Sequence, residues 1–121
     1  MKHSDLNLYK EKGEKITCLT AYDASIAKLI DACGVDVALI GDSLGMVIQG
    51  YKNTRSVTMQ DMLYHTEIVA NSCQQALVIA DMPFQSYDSS ELALTNAQNL
   101  VNAGADMVKI EGGQEHEEAF R

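Results

Sequence analysis

Two stretches of this chain carry nearly the same pattern. Gly34-Val35-Asp36-Val37-Ala38-Leu39-Ile40 and Gly104-Ala105-Asp106-Met107-Val108-Lys109-Ile110 lie 70 residues apart. Each is a glycine, an apolar residue, an aspartate and then a mainly apolar run. Two βα units of roughly 35 residues each would give that offset. The run at 37–40, with charge before it and Gly41 after it, reads as a strand buried on both faces. The repeat therefore predicts an α/β chain with its strands in one sheet.

The intervening sequence fits. Ile16 to Ala21 is a β-branched run and the expected first strand. Asp23 is placed to cap a helix with the apolar stripe Ile26, Ala27, Ile30 and Cys33, closed by Gly34 as a left-handed cap. Residues 42–58 form a connection longer than the usual loop of about two to six residues. Thr58 and Asp61 have capping-box spacing before a stripe of Met62, Thr66, Val69 and Cys73. Ala76 to Asp81 is the third strand. Asp88 or Ser89 caps a third helix, with Ala93, Ala97, Leu100 and Val101 inward and Gly104 at its end. The fourth strand is 105–110, and Gly112-Gly113 turn the chain into an acidic helix. Residues 1–15 are a polar leading segment with a short helix. Strand–helix alternation with short returns implies parallel strands and right-handed crossovers. Four such units over 16–121 are the first half of a (β/α)8 TIM barrel. The alternative is a small flavodoxin-like open sheet, although a complete one adds a fifth strand and helix.

Composition narrows the partners. Nine basic against seventeen acidic residues give a net charge of −8, which argues against a nucleic-acid or anionic-membrane surface. No apolar run approaches the roughly 20 residues of a membrane span, and no signal-peptide pattern is visible. Cys18, Cys33 and Cys73 fit neither a metal spacing nor a disulfide framework. They read as small core residues, and reduced thiols suit a cytoplasmic protein.

Chemistry collects at the strand ends. The second strand leads into Gly41-Asp42-Ser43, the third ends in Asp81, and the fourth offers Lys109 and Glu111. Period-two parity puts Leu77, Ile79 and Asp81 on one face, and Met107, Lys109 and Glu111 on another shared face. Buried charges there are costly unless paired or liganded. Two aspartates and a glutamate are hard oxygen donors suited to Mg²⁺ rather than Zn²⁺, with Lys109 free to neutralise an anion. The plainer explanation is that Asp81 caps the turn before Pro83 and Lys109–Glu111 is a structural ion pair. Three carboxylates at the same end of three successive strands favour a site. His65, beside Tyr64 in mid-helix, reads as packing or surface, and His3 and His116 lie in polar, exposed segments.

Taken together, Thr20-Ala21-Tyr22-Asp23, Gly41 to Met46, Val57-Thr58, Tyr64-His65-Thr66, Ala80 to Phe84 and Val108 to Gly113 run in the order of a known family. Over residues 15–114 the chain resembles the ketopantoate hydroxymethyltransferases of pantothenate biosynthesis. The resemblance implies a Mg²⁺-dependent (β/α)8 barrel, a decamer in bacteria. It implies transfer of a one-carbon unit from 5,10-methylenetetrahydrofolate to 3-methyl-2-oxobutanoate. By the same resemblance Asp42, Asp81 and Glu111 hold the metal, and Asp42, Ser43, Asp81 and Lys109 hold the keto acid. The family's catalytic base, a glutamate, belongs to the second half of the barrel, so no catalytic base is expected among these residues. Thr54-Arg55-Ser56-Val57-Thr58 departs from the family's Thr-Leu-Pro-Val-Thr-like stretch. Two other readings stand beside this one: a non-catalytic half-barrel that acts by association, and a phosphoenolpyruvate-mutase-like barrel acting on another keto acid.

Overall fold

The computed structural model describes residues 1–121. Its strands are β1 (Cys18–Thr20), β2 (Val37–Ile40), β3 (Leu77–Asp81) and β4 (Met107–Lys109). All neighbours pair in parallel, in the order β1-β2-β3-β4. That sequential order decides between the two expected architectures. A flavodoxin-like sheet places its second strand at the edge, outside the first, whereas a (β/α)8 barrel adds each strand beside the last. The chain folds as four successive barrel-type units.

The helices are α1 (Asp5–Lys12), α2 (Ala24–Ala32), α3 (Leu44–Val47), α4 (Met59–Ser72), α5 (Ser90–Asn102) and α6 (Glu117–Phe120), the last preceded by a 3₁₀ turn at Gln114–His116. Three begin with the caps the sequence predicts. Asp23 accepts from the Ile26 N–H at 2.8 Å, and Ser89, rather than Asp88, accepts from the Leu92 N–H at 3.1 Å. Thr58 and Asp61 close a reciprocal capping box at 3.0 and 3.1 Å. The long connection after β2 is not wholly irregular, since α3 adds one turn to it.

One face of the sheet packs on the helices. Ala38 and Ile40 of β2 and Val78 and Ala80 of β3 form a core with Ala27, Ile30, Met62, Val69, Ala93 and Leu100. Alternate residues of the same strands, Leu39, Ile79 and Met107, sit level with one another on the other face and remain half-buried. That is the parity of a barrel wall, with the first set outward against helices and the second toward the barrel axis.

The repeated aspartates explain the sequence echo. Asp36 Oδ2 accepts from Thr17 N–H, just before β1, at 2.9 Å. Asp106 Oδ2 accepts from Val78 N–H, at the start of β3, at 2.8 Å. Each ties the entry of its own strand to the strand before it, while a positive-φ glycine (Gly34 at 74°, Gly104 at 117°) ends the preceding helix. At Gly104 a side chain is doubly excluded, because a Cβ would lie 2.4 Å from the Ala70 Cβ.

Several inward assignments do not hold. Cys18 and Cys33 are exposed and only Cys73 is half-buried. β1 is the edge of the sheet formed by these 121 residues, and Cys33 lines an open cleft with Leu19, Ile26 and Leu29. Ile26 is likewise 44% exposed, on the part of α2 that overhangs that edge. Val101 is 46% exposed because the adjacent Leu100 takes the inward position, and consecutive helical residues diverge by about 100°. β1 and β4 are each shorter than the expected runs. His116, expected in an exposed segment, is half-buried with its ring 4.8 Å from that of Tyr87.

Asp31 supplies a clamp that sequence inspection missed. Its carboxylate accepts from the backbone N–H groups of Gln74 (3.0 Å), Gln75 (2.8 Å) and Ala76 (2.8 Å), fixing the α4–β3 turn onto α2. Those bonds, led by that from Ala76, hold the Asp31 carboxyl below its ordinary 3.8. A depressed folded-state value means that the stabilisation is present above 3.8 and is lost as pH falls through the lower folded value. Asp31→Ala is therefore expected to lower unfolding free energy near neutral pH by about 1 kcal/mol, solvent screening included. The deficit should shrink as pH is lowered through the folded-state value; urea titrations at pH 7 and at a series of acidic pH values follow it.

Candidate active site

The parallel register brings the ends of β2, β3 and β4 to one level. Asp81 is the last residue of β3 and pairs in register with Lys109, the last of β4. Asp42 lies two residues beyond β2, and Glu111 two beyond β4. Their approach is close: one carboxylate oxygen from each of Asp42, Asp81 and Glu111 falls within 4.8 Å of the others.

The contacts among these groups are specific. Asp81, 5% exposed, receives the Asp42 backbone N–H on Oδ2 at 3.0 Å. Lys109 Nζ stands 2.7 Å from Asp81 Oδ1 and donates to Glu111 Oε1 at 3.1 Å. The Lys109 ammonium is thus the close polar partner of the buried Asp81 Oδ1. Three hard anionic donors within 4.8 Å of one another are compatible with a divalent cation of the Mg²⁺ type.

Electrostatics agree with crowding of like charge. Burial first, and then the negative charges of Asp81 and Glu111, hold the Asp42 carboxyl above its ordinary 3.8, with Lys109 opposing them. For Lys109, burial works against the charge, but Asp81 and Glu111 outweigh it and raise the ammonium above its ordinary 10.5. Lys109 is thus a cation held by its own chain.

These residues face a cavity of about 190 Å³, lined by Asp42, Asp81 and Glu111 together with Thr54, Arg55, Met82, Phe84 and Tyr87. Ser43 borders the cluster rather than lining the cavity. Its hydroxyl is 2.6 Å from the Tyr22 hydroxyl. Gly41 leaves room there: a Cβ would sit 3.0 Å from Ser43 Oγ and 3.6 Å from Asp81 Oδ2. The five residues singled out from the sequence, Asp42, Ser43, Asp81, Lys109 and Glu111, therefore gather in one region. His65 packs as expected. Its Nδ1 lies 2.7 Å from the Tyr22 carbonyl oxygen, and that acceptor requires the proton to be on Nδ1.

Tyr22, Arg55, Phe84 and Tyr87 had no role assigned from the sequence. Each follows β1, β2 or β3, at the end where the strand-end carboxylates lie, and that position was the available signal.

Comparison with known proteins identifies the family. The family model described as ketopantoate hydroxymethyltransferase matches residues 1–121. The 3-methyl-2-oxobutanoate hydroxymethyltransferase of Vesicomyosocius okutanii subsp. Calyptogena okutanii (strain HA) is 64% identical over 116 residues, covering 96% of this chain and 45% of that protein. Its namesake from Janthinobacterium sp. (strain Marseille) is 61% identical over 104 residues, covering 86% and 38%. The chain thus spans less than half the length of these curated relatives. Among solved structures, a phosphonopyruvate hydrolase in complex with oxalate and Mg²⁺ superposes with a TM-score of 0.76 at 17% identity, covering 98% of this chain and 45% of the other. A phosphoenolpyruvate phosphomutase from Streptomyces platensis subsp. rosaceus gives 0.74 at 18% identity, covering 91% and 38%. At such identities the superpositions speak to the fold, whereas the family model and the sequence relatives speak to descent. On that ground, and with the strand-end carboxylates arranged as described, the chain belongs to the ketopantoate hydroxymethyltransferase family.

Proposed function

We propose that this chain is the amino-terminal half of a (β/α)8 ketopantoate hydroxymethyltransferase and carries its metal and keto-acid site. The activity is transfer of a one-carbon unit from 5,10-methylenetetrahydrofolate to 3-methyl-2-oxobutanoate. The observation that carries this is the approach of Asp42, Asp81 and Glu111 to within 4.8 Å at the strand ends. A solved enzyme of this fold binds oxalate together with Mg²⁺, and oxalate offers the two adjacent oxygens that an α-keto acid offers.

Asp42, Asp81 and Glu111 would hold the cation, which when bound supplies Lewis acidity toward the keto acid's carbonyl. Lys109 places positive charge beside the oxygen on which negative charge develops as C3 loses its proton. The Ser43 hydroxyl, fixed by Tyr22, is placed to donate to a substrate oxygen. Gly41 keeps the approach to Asp81 open, and the buried Tyr87 walls one side against water. The carbanion so formed adds to the methylene carbon of the folate, and hydrolysis of the remaining C–N bond releases tetrahydrofolate and leaves the hydroxymethyl group on the keto acid. No residue among these 121 is assigned as the base; the family resemblance places it in the second half of the barrel.

Open edges favour a second reading by association. Leu19 (54% exposed), Leu29 (60%) and Ile26 (44%) surround an apolar cleft of about 300 Å³ along β1 and α2. Unpaired strand edges beside such a surface recruit partners. The 121 residues alone are expected to elute in gel filtration well above their 13.2 kDa mass. A well-behaved monomer defeats this second reading.

Two further outcomes test the site. In the complete polypeptide carrying this sequence, Asp42→Ala and Asp81→Ala are expected to weaken Mg²⁺-dependent binding of 3-methyl-2-oxobutanoate more than tenfold, about 1.4 kcal/mol, by calorimetry. Unchanged binding in both variants removes the assignment. Lys109→Met separates the two ligands: without the ammonium against Asp81 Oδ1, Mg²⁺ alone should bind more tightly and the keto acid more weakly. Parallel losses would mean that Lys109 is merely structural.

A further inference from the structure

Arg55 differs from every other cation around the site. It is the one basic residue that lines the cavity, and its guanidinium makes no ion pair. Lys109, by contrast, is committed to Asp81 and Glu111. The Arg55 guanidinium lies over the Phe84 ring, 5.4 Å from its centroid. Its backbone N–H is pinned by Asn53 Oδ1 at 2.9 Å, which sets the loop that carries it. Arg55 is exposed and Phe84 is 47% exposed, so the pair stands at the rim with the exposed Glu111, while the buried Asp81 and half-buried Asp42 form the floor.

Stacking on an aromatic face leaves the in-plane N–H groups of a guanidinium free, and in that plane arginine grips carboxylates with two parallel hydrogen bonds. Holding the group against a ring also removes part of the rotamer freedom that binding would otherwise cost. Such a cation, beside three acids yet paired with none, is matched to an anion that arrives from outside. The keto acid is small, and its carboxylate belongs on the floor, next to the cation site and Lys109. Arg55 is left to hold a second anion on its own side of the cavity.

We propose that Arg55, seated on Phe84, binds a carboxylate of the one-carbon donor where that donor emerges from the cavity. This rests on the hydroxymethyltransferase reading given above. A folate is far larger than about 190 Å³ and ends in a glutamyl group, so it supplies both the length and the charge.

The test uses the complete polypeptide and two separate titrations. Tetrahydrofolate binding is measured in the wild type, Arg55→Met and Arg55→Lys, at low and high salt. Mg²⁺-dependent exchange of the keto acid's C3 proton with D₂O is followed by NMR without folate. Arg55→Met should weaken folate binding roughly tenfold and flatten its salt dependence, and Arg55→Lys should recover part of the loss. The keto acid concentration that half-saturates exchange should shift less than about threefold. Unaltered folate binding in Arg55→Met overturns the proposal, as does an equal loss of keto-acid affinity, which would put Arg55 on the floor ligand instead. Absence of any Mg²⁺-dependent exchange in the wild type fails the underlying reading itself and takes this proposal with it.

Discussion

Level strand ends are the constraint on which the site depends. Parallel pairing fixes which residues sit side by side, and here it sets Asp81 against Lys109 with Ile79 against Met107 one pleat below. The aspartates at the strand entries, Asp36 and Asp106, tie each strand to its predecessor by a backbone hydrogen bond. A slip of one residue would turn Asp81 toward the helices, where Ala80 and Val78 now pack, and would bury its charge in an apolar layer. Register therefore protects the core and gathers the chemistry in a single act.

The site's charges are balanced by proximity, and Glu111 is also open to solvent. Asp42, Asp81 and Glu111 crowd together, and Lys109 is the cation that the chain itself sets among them. The residual strain shows in the Asp42 carboxyl, which burial and its neighbours keep above the ordinary range. A divalent cation among the three acids would relieve that crowding.

Much of this was legible in the residues. The glycine–aspartate echo, the capping residues Asp23 and Thr58 with Asp61, and the strand-terminal acids are all local signals, and local chemistry decides them. Parity alone placed Asp81 with Ile79, and Lys109 with Met107. What escaped depends on neighbours distant in sequence. The outward turn of Cys33 and Ile26 follows from β1 being an edge, which no property of α2 announces. The Asp31 clamp joins positions more than forty residues apart, and an aspartate on a helix reads as solvated surface. Arg55 and Phe84 meet only because two loops fold over the same strand ends.

The His65 contact reaches further than its packing role suggests. An outer-layer helix holds the Tyr22 backbone through an imidazole proton, and the Tyr22 side chain in turn holds Ser43 at the cluster's edge. Periphery and interior are thus joined by a short mechanical linkage of three side chains. Wear on the outside of the wall, at a helix that never meets a ligand, would be felt as misalignment within it.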